Sequence, residues 1–269
     1  MDNSSIWAST LATRIKTSVV LLCVCVIAVM YLPSFAMNMV VAGLALLVLL
    51  EWRAMHPACM HTANLVLGVS WLAICFVMPQ VVWLNAYIAL GSALLFLAML
   101  TVLFFQPKVP KLAYWIGVVS QGLSWRAFMV LWSARPLLAM HILLLTALAD
   151  SSGYLVGQVC QHSARPWSRL SPNKTKAGTV AMCYAPYIWV TLVYTHFDVV
   201  TSAWIGFLGS VGALALVGDL WISVAKRSSG KKDSGQLLPG HGGILDRLDS
   251  HLLVWLCAGI YYYIAHPLG

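Results

Sequence analysis

The sequence predicts an all-α integral membrane protein, a polytopic bundle of about nine transmembrane helices with a cytoplasmic N-terminus. Three observations support this prediction. Hydrophobic residues make up 61% of the 269 residues and charged residues only 9%, and the mean hydropathy is +0.84. Apolar runs close to the roughly 20 residues that cross a bilayer recur along the chain. The basic residues gather in alternate loops between these runs. A water-soluble fold is therefore excluded.

Each apolar run is expected to form a helix, because lipid offers the backbone no hydrogen-bond partners and no alternating strand pattern repeats. A signal peptide is the alternative for the first run, since Ser34-Phe35-Ala36 resembles a small-x-small cleavage site, but a first transmembrane helix is preferred. The predicted spans are residues 17–32, 36–52, 63–79, 81–105, 111–133, 137–159, 178–197, 199–225 and 251–266.

The positive charges indicate the orientation of these spans. With the N-terminus inside, the 16 lysines and arginines all fall on the cytoplasmic side except Arg126 and Arg135. A shift by one helix would scatter them over both faces. Loop orientation and anionic lipid headgroups thus account for the net charge of +8, and the bilayer, not nucleic acid, is the predicted partner. The seven cysteines indicate neither a disulfide framework nor a metal knuckle.

The chain is predicted to be one polytopic membrane domain over residues 1–269. Residues 1–110 form its N-terminal helical part. Residues 111–269 form a catalytic transmembrane part, in which two cytoplasmic loops, 160–177 and 226–250, contain most of the charged residues.

Two carboxylates, Asp150 and Asp219, lie inside apolar spans near the predicted cytoplasmic end. An ionised Asp near the bilayer centre costs at least about 2.5–3.5 kcal/mol, so such residues usually serve an ion or a substrate. The alternative is a protonated Asp, or one paired with Arg126 for helix packing. The functional interpretation is preferred for both carboxylates.

The end of the eighth span combines a carboxylate, a hydroxyl and two cations. Asp219 and Ser223 are four residues apart and therefore share one helix face, and Lys226 and Arg227 follow one turn later. The carboxylate and hydroxyl can hold a hard cation, while the basic pair can bind phosphate oxygens. These residues therefore predict a site for a metal ion and a phosphate group.

The loop that follows continues this pattern. Lys232 and Asp233 precede the run from Pro239 to Gly243, which contains His241, Gly242 and Gly243 and can bring backbone N–H groups close to an anion. Asp246, Arg247 and Asp249 then open the last helix. A solvated linker is the alternative interpretation, but a linker would not require His-Gly-Gly followed by Asp-Arg-x-Asp.

A second polar segment, Ser171 to Thr175, reaches the same predicted face. Lys174 and Thr175 offer a charge and a hydroxyl to a phosphate chain, although the spacing of a P-loop is absent. Carboxylates for a divalent ion and basic side chains for phosphates together predict a phosphoryl- or nucleotidyl-transfer site at the membrane surface.

At these residues the chain resembles the integral-membrane phosphatidate cytidylyltransferases, also called CDP-diacylglycerol synthases. The shared pattern is Ser-x-aliphatic-Lys-Arg, then Lys-Asp, Pro-x-His-Gly-Gly and Asp-Arg-x-Asp, and it starts at Ser223 and ends at Asp249. The resemblance extends to Gly218-Asp219, to Asp150 with Gly153-Tyr154, to the Ser171–Thr175 segment and, more weakly, to Arg14-Ile15 and Glu51-Trp52.

The resemblance implies a reaction in which a phosphatidate oxygen attacks the α-phosphorus of CTP, releasing pyrophosphate and forming CDP-diacylglycerol. It implies Mg²⁺ as cofactor, with a second metal ion as an open question. The implied catalytic residues are Asp219, Asp246, Lys226, Arg227, Lys232, Asp233 and His241. The implied substrate-binding residues are Ser171, Lys174, Thr175, Ser223, Gly242, Gly243 and Arg247. The implied metal ligands are Asp219 and Asp246, with Asp150 and Asp249 as further candidates.

The chain departs from the pattern of the resembled family at two acidic positions. Ile222 stands where Glu commonly precedes the Ser, and Lys176-Ala177 stands where Trp-Glu is common. A CTP-dependent transferase acting on another lipid phosphate is therefore the alternative, followed by a membrane transporter. The expected location is a bacterial inner membrane, with the site facing the cytoplasm. A homodimer is an open alternative, since the sequence does not fix the oligomeric state.

Overall fold

The chain folds as a bundle of helices. The computed structural model describes residues 31–32, 34–56, 59, 61–77, 91, 110–167, 171–194, 202–238 and 242–265. Within these ranges the chain forms seven named helices and no strand. The helices are α1 (Ser34–Met55), α2 (Thr62–Val77), α3 (Pro110–Ala134), α4 (Pro136–Val159), α5 (Lys176–Tyr194), α6 (Ser202–Ser228) and α7 (Leu245–Ala265).

These helices agree with the predicted all-α membrane class. Each overlaps one predicted span, and most of the predicted spans 17–32 and 81–105 lies outside the described residues. Among the described helices, three are long and apolar enough to cross a membrane, namely Phe35–Met55, Pro136–Val159 and Trp204–Ser228. The protein is thus an integral membrane protein by its helices, while the count of nine spans and the orientation stay predictions.

Local sequence explains where several helices begin. Proline occupies the first position of α3 and of α4, where its missing N–H breaks no helical hydrogen bond. Thr175 caps α5, because its Oγ1 accepts a hydrogen bond from the Gly178 N–H at 3.1 Å. Helix α7 begins at Leu245, earlier than the predicted span at 251, because its polar first turn does not belong to the apolar run.

The packing of the helices places the polar loops at one end of the bundle. Neighbours along the chain pack in the order α4, α5, α6 and α7, and α3 closes against α7. Trp255 of α7 packs against Trp125 and Phe128 of α3 in tilted arrangements, with ring centroids 5.2 and 4.6 Å apart. Helix α1 joins α3, where Trp52 Nε1 donates a hydrogen bond to the Tyr114 carbonyl at 3.0 Å. At one end of the bundle, the end of α6 therefore lies beside the start of α7, where Lys226 bonds Asp246.

Candidate active site

A cavity of about 700 Å³ opens between α4, α5, α6, the start of α7 and the loop that follows α4. Small residues of α4 and α5, namely Gly153, Gly157 and Gly178, line one side of it. Charged residues of both signs also line it. They are Asp150, Arg165, Lys174, Asp219, Asp246, Arg247 and Asp249.

Asp219 and Ser223 lie on one face of α6, as their spacing predicts. The Ser223 hydroxyl donates a hydrogen bond to Asp219 Oδ1 at 3.3 Å. The other carboxylate oxygen, Oδ2, forms an ion pair with Lys174 Nζ. The structure thus brings the polar segment before α5 into contact with the carboxylate inside α6.

Lys226 joins α6 to α7. Its Nζ donates a hydrogen bond to Asp246 Oδ1 at 2.9 Å and lies 3.8 Å from Asp249 Oδ2. Both carboxylates belong to the first turns of α7, so a single ammonium group links the two helix ends that border the cavity.

Asp246 is bonded through both carboxylate oxygens. Its Oδ2 accepts hydrogen bonds from the backbone N–H groups of Ser234 at 2.8 Å and Gly243 at 2.9 Å, while Oδ1 bonds Lys226. Asp246 lies before the predicted span at 251. Burial alone would raise the pKa of Asp246, but the positive charge of Lys226 and the two N–H donors outweigh it, so the pKa is lowered from its usual value.

The turn before Asp246 requires glycine. Gly242 has φ +84°, in the left-handed region, and a Cβ placed there would lie 2.8 Å from Asp246 Oδ2. The Gly242-Gly243 backbone thus closely approaches the Asp246 carboxylate, while its approach to a substrate anion stays a prediction.

Asp150 joins α4 to α7. Its Oδ1 accepts a hydrogen bond from the Ser250 hydroxyl at 2.9 Å, and the neighbouring Asp249 is buried. The cavity thus brings together Asp150, Asp219, Asp246 and Asp249, the four predicted metal ligands, from three different helices.

Other predicted residues lie away from the cavity lining. Lys232 and Asp233 are exposed, and Arg227 Nη1 donates a hydrogen bond to the Lys231 carbonyl at 3.3 Å. The Ser171 N–H bonds the Trp167 carbonyl at 2.7 Å. His241 lies outside the described residues. The binding roles of these side chains stay predictions.

The oxygen-rich lining fits a hard divalent cation by donor chemistry, since such ions prefer carboxylate and water ligands. Within the described residues, no three His, Cys, Asp or Glu side chains are close enough to one another to form a ready cluster. The Lys174 and Lys226 ammonium groups instead bond the carboxylates of Asp219 and Asp246. A cation bound between these carboxylates would therefore displace the more exposed of the two ammonium groups, Lys174, from Asp219 onto another anion.

Two residues near the site were not among the predicted site residues, although Glu51 belongs to the weaker part of the resemblance. Arg165 lines the cavity from the loop after α4, and only its position in a polar loop could have suggested this. Glu51 of α1 is buried and accepts a hydrogen bond from the Ser234 hydroxyl at 2.8 Å. A carboxylate inside an apolar span was the available signal for Glu51.

Comparisons with known proteins report on the family of the chain. A family model described as the cytidylyltransferase family matches residues 12–265. Over 119 residues the chain is 40% identical to a phosphatidate cytidylyltransferase of Staphylococcus aureus (strain COL), covering 43% of this chain and 45% of that protein.

Two further relatives have similar identities. A phosphatidate cytidylyltransferase of Synechocystis is 38% identical over 125 residues, 43% of this chain and 39% of that protein. The uncharacterized protein YnbB of Escherichia coli K12 is 35% identical over 134 residues, 48% of this chain and 43% of that protein. The matched stretches thus span less than half the length of these three curated relatives.

Proposed function

The chain belongs to the cytidylyltransferase family, and on that premise we propose that it transfers the cytidylyl group of CTP to phosphatidate. A phosphate oxygen of phosphatidate forms a bond to the α-phosphorus of CTP. The bond from that phosphorus to the oxygen of the β-phosphate breaks, and pyrophosphate leaves with the electron pair. The product is CDP-diacylglycerol.

The observation that supports this proposal best is the mixed charge of one cavity. Carboxylates from α4, α6 and α7 and cations from the loop after α4 and the start of α7 border the same space. Two phosphate-bearing substrates need positive charge to overcome their mutual repulsion, and carboxylates beside that charge suit a divalent ion. A transporter would not require this combination at the helix ends.

The side chains of the chain would position the substrates. Lys174, Arg165 and Arg247 border the cavity and can neutralise the triphosphate and the lipid phosphate. Asp219 and Asp246 would hold Mg²⁺, whose charge, when bound, offsets the negative charge on the phosphate oxygens. No general base is needed, because a phosphate monoester with a second pKa of about 6 is already largely ionised near pH 7.

The location follows from the same residues. The cavity lies near the end of α6 at Lys226 and Arg227, and basic residues at helix ends favour the cytoplasmic side. We therefore place the site at the cytoplasmic face of a bacterial inner membrane, where CTP is available. Phosphatidate would approach from the surrounding bilayer.

The function can be tested with the purified full-length chain, Mg²⁺ and phosphatidate in mixed micelles. Label from [α-³²P]CTP should enter a chloroform-soluble product with the mass of CDP-diacylglycerol, and label from [γ-³²P]CTP should enter pyrophosphate. EDTA should abolish the formation of both labelled products, and added Mg²⁺ should restore it, because divalent cations held by carboxylates bridge phosphate oxygens.

The same assay with polyprenol phosphates and dialkyl-glycerol phosphates in place of phosphatidate tests the alternative lipid substrates. Transfer to one of these lipids and not to phosphatidate would replace the proposed substrate while keeping the transferase class. The absence of any CDP-lipid with every divalent ion tested would contradict the proposal as a whole.

A further inference from the structure

Glu51 is a buried carboxylate that lies outside the cavity lining. It sits near the end of α1 with only 6% of its surface exposed, and a buried carboxylate is costly unless donors surround it. The donors come from the opposite end of the chain, from the loop after α6 and the start of α7. The contacts of Glu51 therefore link α1 to the segment that contains Asp246.

Three hydrogen bonds form this link. Glu51 Oε1 accepts from the Ile244 N–H at 2.9 Å, and Oε2 accepts from the Leu245 N–H and the Ser234 hydroxyl, both at 2.8 Å. Leu245 is the first residue of α7, and the first N–H groups of a helix have no partner within the helix. Glu51 thus caps α7 from a different helix.

The same segment also holds Asp246. Ser234 donates its hydroxyl to Glu51 and its N–H to Asp246 Oδ2, and the Gly243 N–H donates to the same Asp246 oxygen. The hydrogen-bond donors of this segment are therefore shared between the Glu51 and Asp246 carboxylates. While Oδ2 is bonded to the loop, Asp246 Oδ1 is directed to Lys226 at the cavity.

Close contacts and a fourth hydrogen bond support the link. A Cβ on Gly235 would lie 2.7 Å from Glu51 Oε1, and one on Gly243 would lie 2.8 Å from Glu51 Cδ. Lys231 Nζ donates a hydrogen bond to the Ala54 carbonyl of α1 at 2.6 Å. The loop is thus packed against the end of α1 at several points.

We propose that Glu51 is a positioning residue, which holds Ser234, Ile244 and Leu245 against α1 so that the Asp246 carboxylate faces Lys226 and the cavity. Its catalytic consequence rests on the proposed function, whereas its effect on the loop does not. The carboxylate is specifically suited to this role because both of its oxygens accept. A glutamine side chain has the same shape but only one acceptor oxygen. Its amide N–H₂ group would face a backbone N–H group, and two donors cannot bond each other.

The test compares Glu51→Gln with Val48→Ala in the full-length protein. Val48 lies one turn earlier on α1, is fully buried and belongs to the apolar core, so its truncation weakens α1 without removing a bond to the loop. Hydrogen exchange followed by mass spectrometry, without added metal or substrate, reports on peptides that cover residues 231–247. Loss of an outer partner of a metal ligand typically costs about 10–100-fold in metal affinity or activity.

In Glu51→Gln, we expect at least about tenfold faster exchange in this segment, and a kcat lowered about 10–100-fold with a raised Mg²⁺ requirement. In Val48→Ala, we expect a lower unfolding temperature, wild-type exchange in this segment, and kcat within about twofold per folded molecule, because no bond to the loop is lost. Ser234→Ala removes only the hydrogen bond from the Ser234 hydroxyl to Glu51 and should speed exchange about fivefold. This variant replaces Glu51→Gln in the test if Glu51→Gln does not fold.

Two results would overturn the proposal. One is unchanged exchange of residues 231–247 in Glu51→Gln, or in Ser234→Ala if that variant is used. The other is an equal loss of kcat and of Mg²⁺ affinity in Val48→Ala, which would reduce Glu51 to a general stability role. If the wild-type chain makes no CDP-lipid, the proposed function fails, while the exchange comparison still decides whether Glu51 holds the loop.

Discussion

Lys174 and Lys226 bond the cavity carboxylates in different ways. The Lys174 side chain is 20% exposed and pairs with Asp219, whose side chain is 22% exposed. The Lys226 side chain is 11% exposed and lies between Asp246 and Asp249. Partly exposed ion pairs are weak and exchange partners readily, whereas breaking a buried pair is costly. We therefore expect Lys174 to move onto a phosphate group and Lys226 to keep its carboxylates in place.

Asp219 and Asp246 are expected to act as one unit, since they border the same cavity from α6 and α7. Asp219→Asn and Asp246→Asn should each lower kcat/KM for CTP by at least about 100-fold, and the double variant should be scarcely worse than either single one. Residues that act together show such non-additive losses. The measurement is steady-state kinetics on all three variants, matched for folding by their unfolding temperatures.

If Asp219 only packs α6 against its neighbours, the result will differ. Asp219→Asn would then lower protein yield or unfolding temperature, and its kinetic effect would multiply with that of Asp246→Asn. Two effects that simply add in free energy would show that these carboxylates do not share a site.

The sequence predicted some of these residues better than others, for a physical reason. A spacing of four residues places Asp219 and Ser223 on one helix face, and the structure shows their hydrogen bond. Spacing cannot show which faces meet, so the bond of Glu51 to Ser234, far along the chain, was not predicted. The position of Arg165 in the cavity lining was not predicted for the same reason, since the neighbours of a loop residue are fixed only when the helices pack.

The crossing of α4 and α5 depends on small residues that bring the two backbones close together. A Cβ on Gly178 would lie 2.6 Å from the Gly153 carbonyl oxygen and 3.2 Å from Gly157 Cα. Membrane helices commonly use small residues for such close approach, because lipid gives little hydrophobic drive for association. The same crossing forms one wall of the cavity.

Gly178→Ala should therefore destabilise the protein, by about 1–3 kcal/mol for an overpacked contact against rigid backbone. Gly206→Ala is the matched control, because a Cβ on this glycine of α6 meets nothing within 4 Å. In a helix interior, Ala is favoured over Gly by up to about 1 kcal/mol, so this control should be neutral or stabilising. Unfolding in detergent, followed by circular dichroism, measures both variants, and equal stability of the two would contradict the close-packed crossing.

Helix positions were predictable from apolar runs, but helix ends were less so. The run that begins at 251 marks α7, yet the helix starts at Leu245, because Glu51 and Asp246 bond the N–H groups of Leu245 and of Gly243 just before it. Hydropathy indicates which residues contact lipid, but it does not indicate at which residue the helical hydrogen bonds begin. The residues of the candidate site concentrate in these polar helix ends.

Across the whole molecule, the N-terminal and catalytic parts are joined. The predicted division at residue 110 stays a prediction, but Glu51 and Ala54 of the N-terminal part bond Ser234 and Lys231 of the catalytic part. Helix α1 also packs against α3. We therefore expect the N-terminal part to contribute to the order of the loop beside the cavity and not only to anchoring in the membrane.

The orientation of the whole protein can be tested at two exposed cations, Lys231 after α6 and Arg135 at the junction of α3 and α4. Helix α4 has 24 residues, about 36 Å at 1.5 Å per residue, which is enough to separate its two ends across a bilayer. In a chain whose seven cysteines are replaced, Lys231→Cys should resist a membrane-impermeant thiol reagent in spheroplasts and react after permeabilisation. Arg135→Cys should react in both conditions, because the predicted topology places it outside, as it does Leu268. The opposite pattern would reverse the orientation and separate the cavity from cytoplasmic CTP. Reaction of both cysteines in sealed spheroplasts would show that α4, α5 and α6, the three helices between them, do not all cross the membrane.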